Sequence, residues 1–136
     1  MPFSETKRTK KLSARLEALA PDDMMPEAGR KILLSNLITV LGHEAGSRTG
    51  DDIEDVHDMR VAIRRTRSAF RLLGAYYRPE VLRDFAKPLR QTARLLGDVR
   101  DLDVMINDLN NHKSEQTEDD QRIIDEIVAV LDAHRS

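Results

Sequence analysis

The sequence has 136 residues, with 22 Lys and Arg against 24 Asp and Glu, and it contains no cysteine. A chain of this length fits one domain, and the lack of cysteine excludes disulfides, thiolate metal sites and cysteine nucleophiles. No apolar run approaches the roughly 18–20 residues that span a bilayer, and the N-terminal segment lacks the apolar stretch of a secretory signal. We therefore expect a cytoplasmic protein that does not enter a membrane.

The spacing of apolar residues predicts an all-α protein. Residues 1–23 are predicted to form a basic, partly disordered N-terminal arm with a short helix around residues 12–19. Four longer helices are predicted over residues 26–45, 51–73, 79–110 and 118–133, and no stretch has the period of two that is typical of a strand. Gly, Pro and Asn residues between these segments are typical of helix ends and turns. Helices of this length with short loops indicate an antiparallel four-helix bundle over residues 24–136.

The second predicted helix carries two parallel stripes of side chains. The first is apolar and predicts a buried seam: Val56, Met59, Ile63, Thr66, Phe70 and Leu73. The second has the same spacing, begins one residue later and is cationic: His57, Arg60, Arg64, Arg67 and Arg71. One residue step is about 100° of rotation, so the cationic stripe flanks the buried seam.

The charge around this stripe is one-sided, although the whole chain has a net charge of −2. Residues 57–100 contain 11 basic and 4 acidic side chains, and residues 59–79 contain six Arg and no acid. A solvated helix face normally interleaves Glu with Lys, whereas the like charges at 60/64, 64/67 and 67/71 cost ~1 kcal/mol together. Because the Arg side chain forms bidentate contacts with phosphate, the pattern favours an anion-binding face over a merely solvated one.

The third predicted helix adds a second row of cations: Arg83, Lys87, Arg90 and Arg94. They lie beside a predicted apolar seam: Leu82, Phe85, Leu89, Thr92, Leu96, Val99 and Ile106. Two adjacent antiparallel helices with such edges form a cationic trough. A trough suits a linear polyanion, which needs many equal contacts. The sequence has no GxxxxGK[ST] loop, so a nucleoside triphosphate site is not indicated.

Two features further along this helix are interpreted as structural. Gly97 within a helical pattern costs about 1 kcal/mol relative to Ala, which indicates a close helix contact there. Asp101 and Asp103 are two residues apart and do not share a helix face. We interpret them as partners of Arg100 or of the arginines on the second helix. The four histidines are dispersed over the predicted elements, so neither a metal nor a cofactor is predicted: His43, His57, His112 and His134.

The segment VHDMRVAIRRTRSAFRLL, followed by LRQTARLLGDVRDLDVMINDL, resembles the CHAD (conserved histidine α-helical domain) family. The first motif is carried by His57, Arg60, Val61, Arg64, Arg65 and Arg67. The second is carried by Leu89, Leu96, Gly97, Arg100, Asp101, Asp103 and Val104. The resemblance spans roughly residues 27–135 and implies a helical fold that binds polyphosphate through a basic surface. It adds Arg65 and Arg100 to the predicted polyphosphate-binding residues. The family typically carries two related four-helix bundles in tandem, and this sequence corresponds to the first.

The predicted function is therefore polyphosphate binding by a protein that is not an enzyme and has no catalytic residues. We expect polyphosphate to favour a homodimer through the basic face, because a two-fold axis supplies a second cationic wall. Three alternatives stay open. One is a histidine phosphotransfer protein with His57 as phosphoacceptor and Arg60 three residues on. Another is non-specific binding of nucleic acid through backbone phosphates, with no specific nucleic-acid partner. The third, metal-dependent phosphohydrolysis, is suggested only by the His57–Asp58 pair.

Overall fold

The computed structural model describes residues 3–135 and is all-helical, with no strand within that range. The helices are α1 (Lys7–Ser13), α2 (Met25–Thr49), α3 (Ile53–Leu73), α4 (Pro79–Lys113) and α5 (Glu118–Arg135), with a short 3₁₀ helix over Gly74–Tyr76. The all-α prediction is confirmed, and each of the four long predicted helices is present. None of the described helices is long and apolar enough to cross a membrane.

The end of α2 and the start of α3 differ from the predicted positions, because capping interactions determine both. We expected the first long helix to end near residue 45, yet α2 continues through Gly46 to Thr49. Gly50 stops it with a φ of 73°, and its N–H donates to the Gly46 carbonyl. Gly is the residue that adopts this left-handed conformation at no steric cost. At the start of α3, the Asp52 side chain accepts a hydrogen bond from the Glu54 N–H, which places the first helical residue at Ile53.

The N-terminal arm contains a helix earlier than predicted, over Lys7–Ser13 instead of residues 12–19. A reciprocal cap explains the position, because Thr6 accepts from the Thr9 N–H while the Thr9 side chain accepts from the Thr6 N–H. The arm packs on α2, where the Ser4 N–H donates to the Gly42 carbonyl at 2.9 Å. Its predicted partial disorder and its boundary at residue 23 stay predictions.

A buried lysine holds the segment between α1 and α2. The Lys31 ammonium donates to both Asp23 carboxylate oxygens and to the Ala18 carbonyl, each at 2.9 Å. The Ala20 N–H and the Lys31 ammonium together lower the pKa of the Asp23 carboxyl below its usual value. The sequence pattern of a solvated arm did not indicate this anchor, because it depends on where the linker folds back.

Helices α2 and α3 form an antiparallel hairpin. The first turns of α2 lie beside the end of α3, where a Cβ on Gly29 would contact Leu73, and His43 near the end of α2 contacts Asp55 at the start of α3. The hairpin buries most of the seam predicted on the second helix, with Thr66 and Phe70 half-buried. The buried apolar side chains of the described chain are Ile38, Val56, Met59, Ala62, Ile63, Ala69, Leu73 and Leu96.

The chain divides between Leu96 and Gly97 into two compact units. In the second unit, Lys113 pairs with Asp125 at 2.6 Å, and Arg135 donates to the buried Asp103 at 2.5 Å. We predicted that Asp103 pairs with Arg100 or with an arginine of α3. That prediction is wrong, because its partner is Arg135. The seam predicted on the third helix is buried only at Leu96, and Phe85 is exposed. The single antiparallel four-helix bundle stays a prediction.

Gly97 and Gly46 have different surroundings, and the predicted close helix contact at Gly97 is wrong. A Cβ at Gly97 would meet no described atom within 4 Å, so no close helix contact explains that glycine. A Cβ at Gly46 would instead overlap the Asp55 carboxylate, which is buried and hydrogen-bonded to His43.

We expect Gly46→Ala to lower the free energy of unfolding by about 1–3 kcal/mol, because the methyl group forces Asp55 away from His43. The matched change Gly97→Ala is expected to raise it by about 0.5–1 kcal/mol, since alanine is the better helix former and nothing obstructs it. Urea unfolding curves of both variants test this pair. A Gly46→Ala variant as stable as the unmodified protein, or more stable, would contradict the close packing at Gly46.

Candidate functional site

A cleft of about 380 Å³ lies in the first unit, where α3 faces the first half of α4. Eight residues line it: His57, Arg60, Val61, Arg64, Arg67, Arg90, Ala93 and Arg94. Five of the eight are arginines, and none is acidic. The cleft is thus a cationic concavity with two apolar residues in its lining, Val61 and Ala93.

Helix α3 contributes four successive members of the predicted cationic stripe. His57, Arg60, Arg64 and Arg67 follow one another at helical spacing, and Val61 lies among them on the same side. The position of this row follows from the hairpin: packing of the Val56–Leu73 seam against α2 turns the neighbouring stripe toward α4. The three arginine side chains are exposed, whereas His57 is half-buried.

Helix α4 contributes only two of its four predicted cations, Arg90 and Arg94, which lie one turn apart with Ala93 between them. The remaining predicted binding residues do not line the cleft. In the first unit these are Arg65, Arg71, Arg83 and Lys87, and all four are exposed. Arg100 belongs to the second unit.

The cleft arginines have no carboxylate partner among the described residues, whereas four arginines outside the cleft do have one. Arg30 pairs with Glu27 at 2.6 Å, Arg48 with Glu44 at 2.9 Å, and Arg122 with Asp119 at 3.6 Å. Neighbouring guanidinium groups in the cleft repel one another by a few tenths of a kcal/mol per pair. An anion bound between them relieves this repulsion and accepts their hydrogen bonds.

A buried polar pair supports the α3 end of the cleft, and the sequence patterns did not predict it. His43 is 8% exposed and Asp55 is 1% exposed, and His43 Nδ1 lies 2.7 Å from Asp55 Oδ1. The other ring nitrogen, Nε2, lies 3.8 Å from Asp58 Oδ2, and the Phe3 ring packs edge-on against the imidazole. The pair fixes the first turns of α3, from which His57 projects. The only sequence signal near it is that His43 directly follows Gly42 and lies three residues before Gly46, two glycines that leave room for close packing.

Glu54, His57 and Asp58 place their ligand atoms within 4.8 Å of one another. Positions i, i+3 and i+4 on one helix produce such a spacing by themselves. The Asp58 carboxylate lies near the His43 imidazole, whereas His57 lines the cleft, so the three side chains do not all face one common site. We assign no metal to them.

The comparison with family models gives one match. The model of the CHAD domain matches residues 31–136, which include every cleft residue. Neither a curated protein nor a solved structure matches the chain significantly. The matched segment covers most of the chain, and the chain therefore belongs to the CHAD domain family.

Proposed function

We propose that the protein binds inorganic polyphosphate along the cleft between α3 and the first half of α4. The observation that carries the proposal is the lining itself: five arginines without carboxylate partners and one histidine, with no acid among the eight residues. CHAD domains are associated with polyphosphate binding in general. The family and the local electrostatics thus support the same ligand class.

The shape of the site favours a chain of phosphates over a single one. From His57 to Arg67 the α3 row extends over roughly 15 Å at 1.5 Å per residue. The arginines are exposed, so each contact with an anion is screened by water and salt. Useful affinity then requires several contacts at once, which a linear polyanion supplies and a single phosphate does not.

The proposed role is binding without catalysis. No carboxylate lines the cleft to activate a water molecule or to bind a magnesium ion beside the phosphates. A histidine phosphotransfer protein needs one accessible imidazole and does not require five arginines around it. We therefore favour polyphosphate binding over histidine phosphotransfer. The cytoplasmic location expected from the sequence is kept as part of the proposal.

The homodimer predicted across the basic face remains part of the proposal. The cleft of one chain presents two short cationic rows, and a two-fold axis would add the same rows from a second copy. Repulsion between two cationic faces opposes this dimer until polyphosphate is bound between them.

Isothermal titration calorimetry with polyphosphate, orthophosphate and single-stranded RNA tests the function. We expect polyphosphate to bind about 10²-fold or more tightly than orthophosphate, because its contacts are linked in one chain. RNA is expected to bind more weakly, since its phosphates are more widely spaced than those of polyphosphate. RNA binding as tight as polyphosphate binding would favour the nucleic-acid alternative and contradict the proposal.

A further inference from the structure

The lining of the cleft contains one side chain whose charge can change near neutral pH. Five of its eight residues are arginines, which keep their charge throughout the physiological range, and two are apolar. The eighth is His57, and the imidazole is the side chain that ordinarily gains or loses a proton near neutral pH. The charge of the lining therefore varies with pH through His57.

Charges of both signs surround the His57 imidazole. On α3, one ligand atom each of Glu54 and Asp58 lies within 4.8 Å of it, and Asp58 also lies 3.8 Å from the His43 imidazole. The cations that share the cleft with it are Arg60, Arg64 and Arg67 on α3 and Arg90 and Arg94 on α4. The carboxylates favour a proton on the imidazole, whereas the arginines and its half-burial oppose one. No single neighbour thus fixes the charge on His57 in the free protein.

Bound polyphosphate changes this balance in one direction. It brings negative charge beside the imidazole and offsets the positive field of the arginines, and both effects favour the protonated ring. We infer that the cleft takes up a proton at His57 when it binds polyphosphate, which makes the affinity depend on pH. This proton uptake depends on the proposed function, because bound polyphosphate is the charge that drives it.

The direction of the pH dependence follows from the number of protons in each state. Because the complex holds more protons than the free protein, the affinity rises as the pH falls. The rise is confined to the range around neutral pH in which an imidazole titrates. A protonated His57 adds one charged contact with phosphate, and such a contact contributes about fivefold to the affinity.

Calorimetric titration with long-chain polyphosphate, between about pH 6 and about pH 8.5, tests the inference. Long chains have few chain-end phosphates, which themselves titrate near neutral pH. We expect about fivefold tighter binding at the lower pH. Repeating each titration in two buffers with different ionisation enthalpies measures the proton uptake directly, because the heat of buffer ionisation adds to the heat of binding. We expect a fraction of one proton to be taken up near neutral pH.

Two variants assign the proton to one side chain. His57→Gln removes the titrating ring but keeps a hydrogen-bond donor, and we expect it to lose the pH dependence and the proton uptake. His134→Gln is the matched control, since His134 is exposed, belongs to the second unit and does not line the cleft. It should keep both effects. Circular dichroism at each pH checks the fold, because the buried His43 contacts Asp55.

The outcomes distinguish this inference from the proposed function. Polyphosphate binding with neither pH dependence nor proton uptake would overturn the inference and leave the proposed binding site intact. Equal pH dependence in the unmodified protein and in His57→Gln would place the proton on another group, which also overturns it. A protein that binds no polyphosphate at any pH would overturn the proposed function and the inference together.

Discussion

Replacing Arg60, Arg64 and Arg67 together with alanine is expected to lower polyphosphate affinity roughly 100-fold. Each exposed charged contact contributes about 1 kcal/mol, so three contribute about 3 kcal/mol, and 1.4 kcal/mol is a factor of ten. Helicity should survive, because these side chains are exposed and alanine is the best helix former. Calorimetric titration measures the affinity, and circular dichroism measures the helicity.

The matched control is the triple variant Arg65→Ala, Arg71→Ala and Arg83→Ala. It removes the same charge from exposed positions that do not line the cleft. We expect less than about a tenfold loss, because these cations act on the ligand only at screened distances. Equal losses in the two triple variants would show that the overall charge binds polyphosphate and that the cleft has no special role. Unchanged affinity in the first variant would refute the proposed site outright.

Salt is expected to weaken polyphosphate binding steeply. Five arginine contacts predict a log–log slope of about −3.5 by the coefficient for flexible single strands, which is roughly a 100-fold loss between 50 and 200 mM salt. In the Arg60, Arg64 and Arg67 triple variant the slope should fall by about 2, since three contacts are gone. Titrations of both proteins over a salt series measure the slopes. A slope near zero would mean that binding does not release counterions, and it would contradict the proposal that arginine contacts supply the affinity.

The sequence patterns predicted part of the cleft. The row His57, Arg60, Arg64 and Arg67 was predictable, because residues on one helix keep a fixed angular relation whatever the helix packs against. The second row was predicted less well: of the four cations on α4, only Arg90 and Arg94 line the cleft. Which turns of α4 face α3 depends on how the two helices cross, and no periodicity within α4 encodes that crossing.

The sequence patterns did not predict the buried polar pairs. His43 and Asp55 are 12 residues apart on either side of the α2–α3 turn, and Asp103 and Arg135 are 32 residues apart. Each of these residues has many oppositely charged candidates along the chain. The native partner is decided by the register in which two helices pack, which long-range apolar contacts determine.

By itself, the sequence determined the all-α class, the four long helices, the buried seam of α3 and the cationic stripe beside it. All of these follow from apolar periodicity and capping, which act over a few residues. The tertiary structure alone decided which cations share a cleft and which carboxylates pair with His43 and Arg135. Those outcomes depend on packing between helices that are distant in the chain, and local periodicity does not encode the angles at which such helices meet.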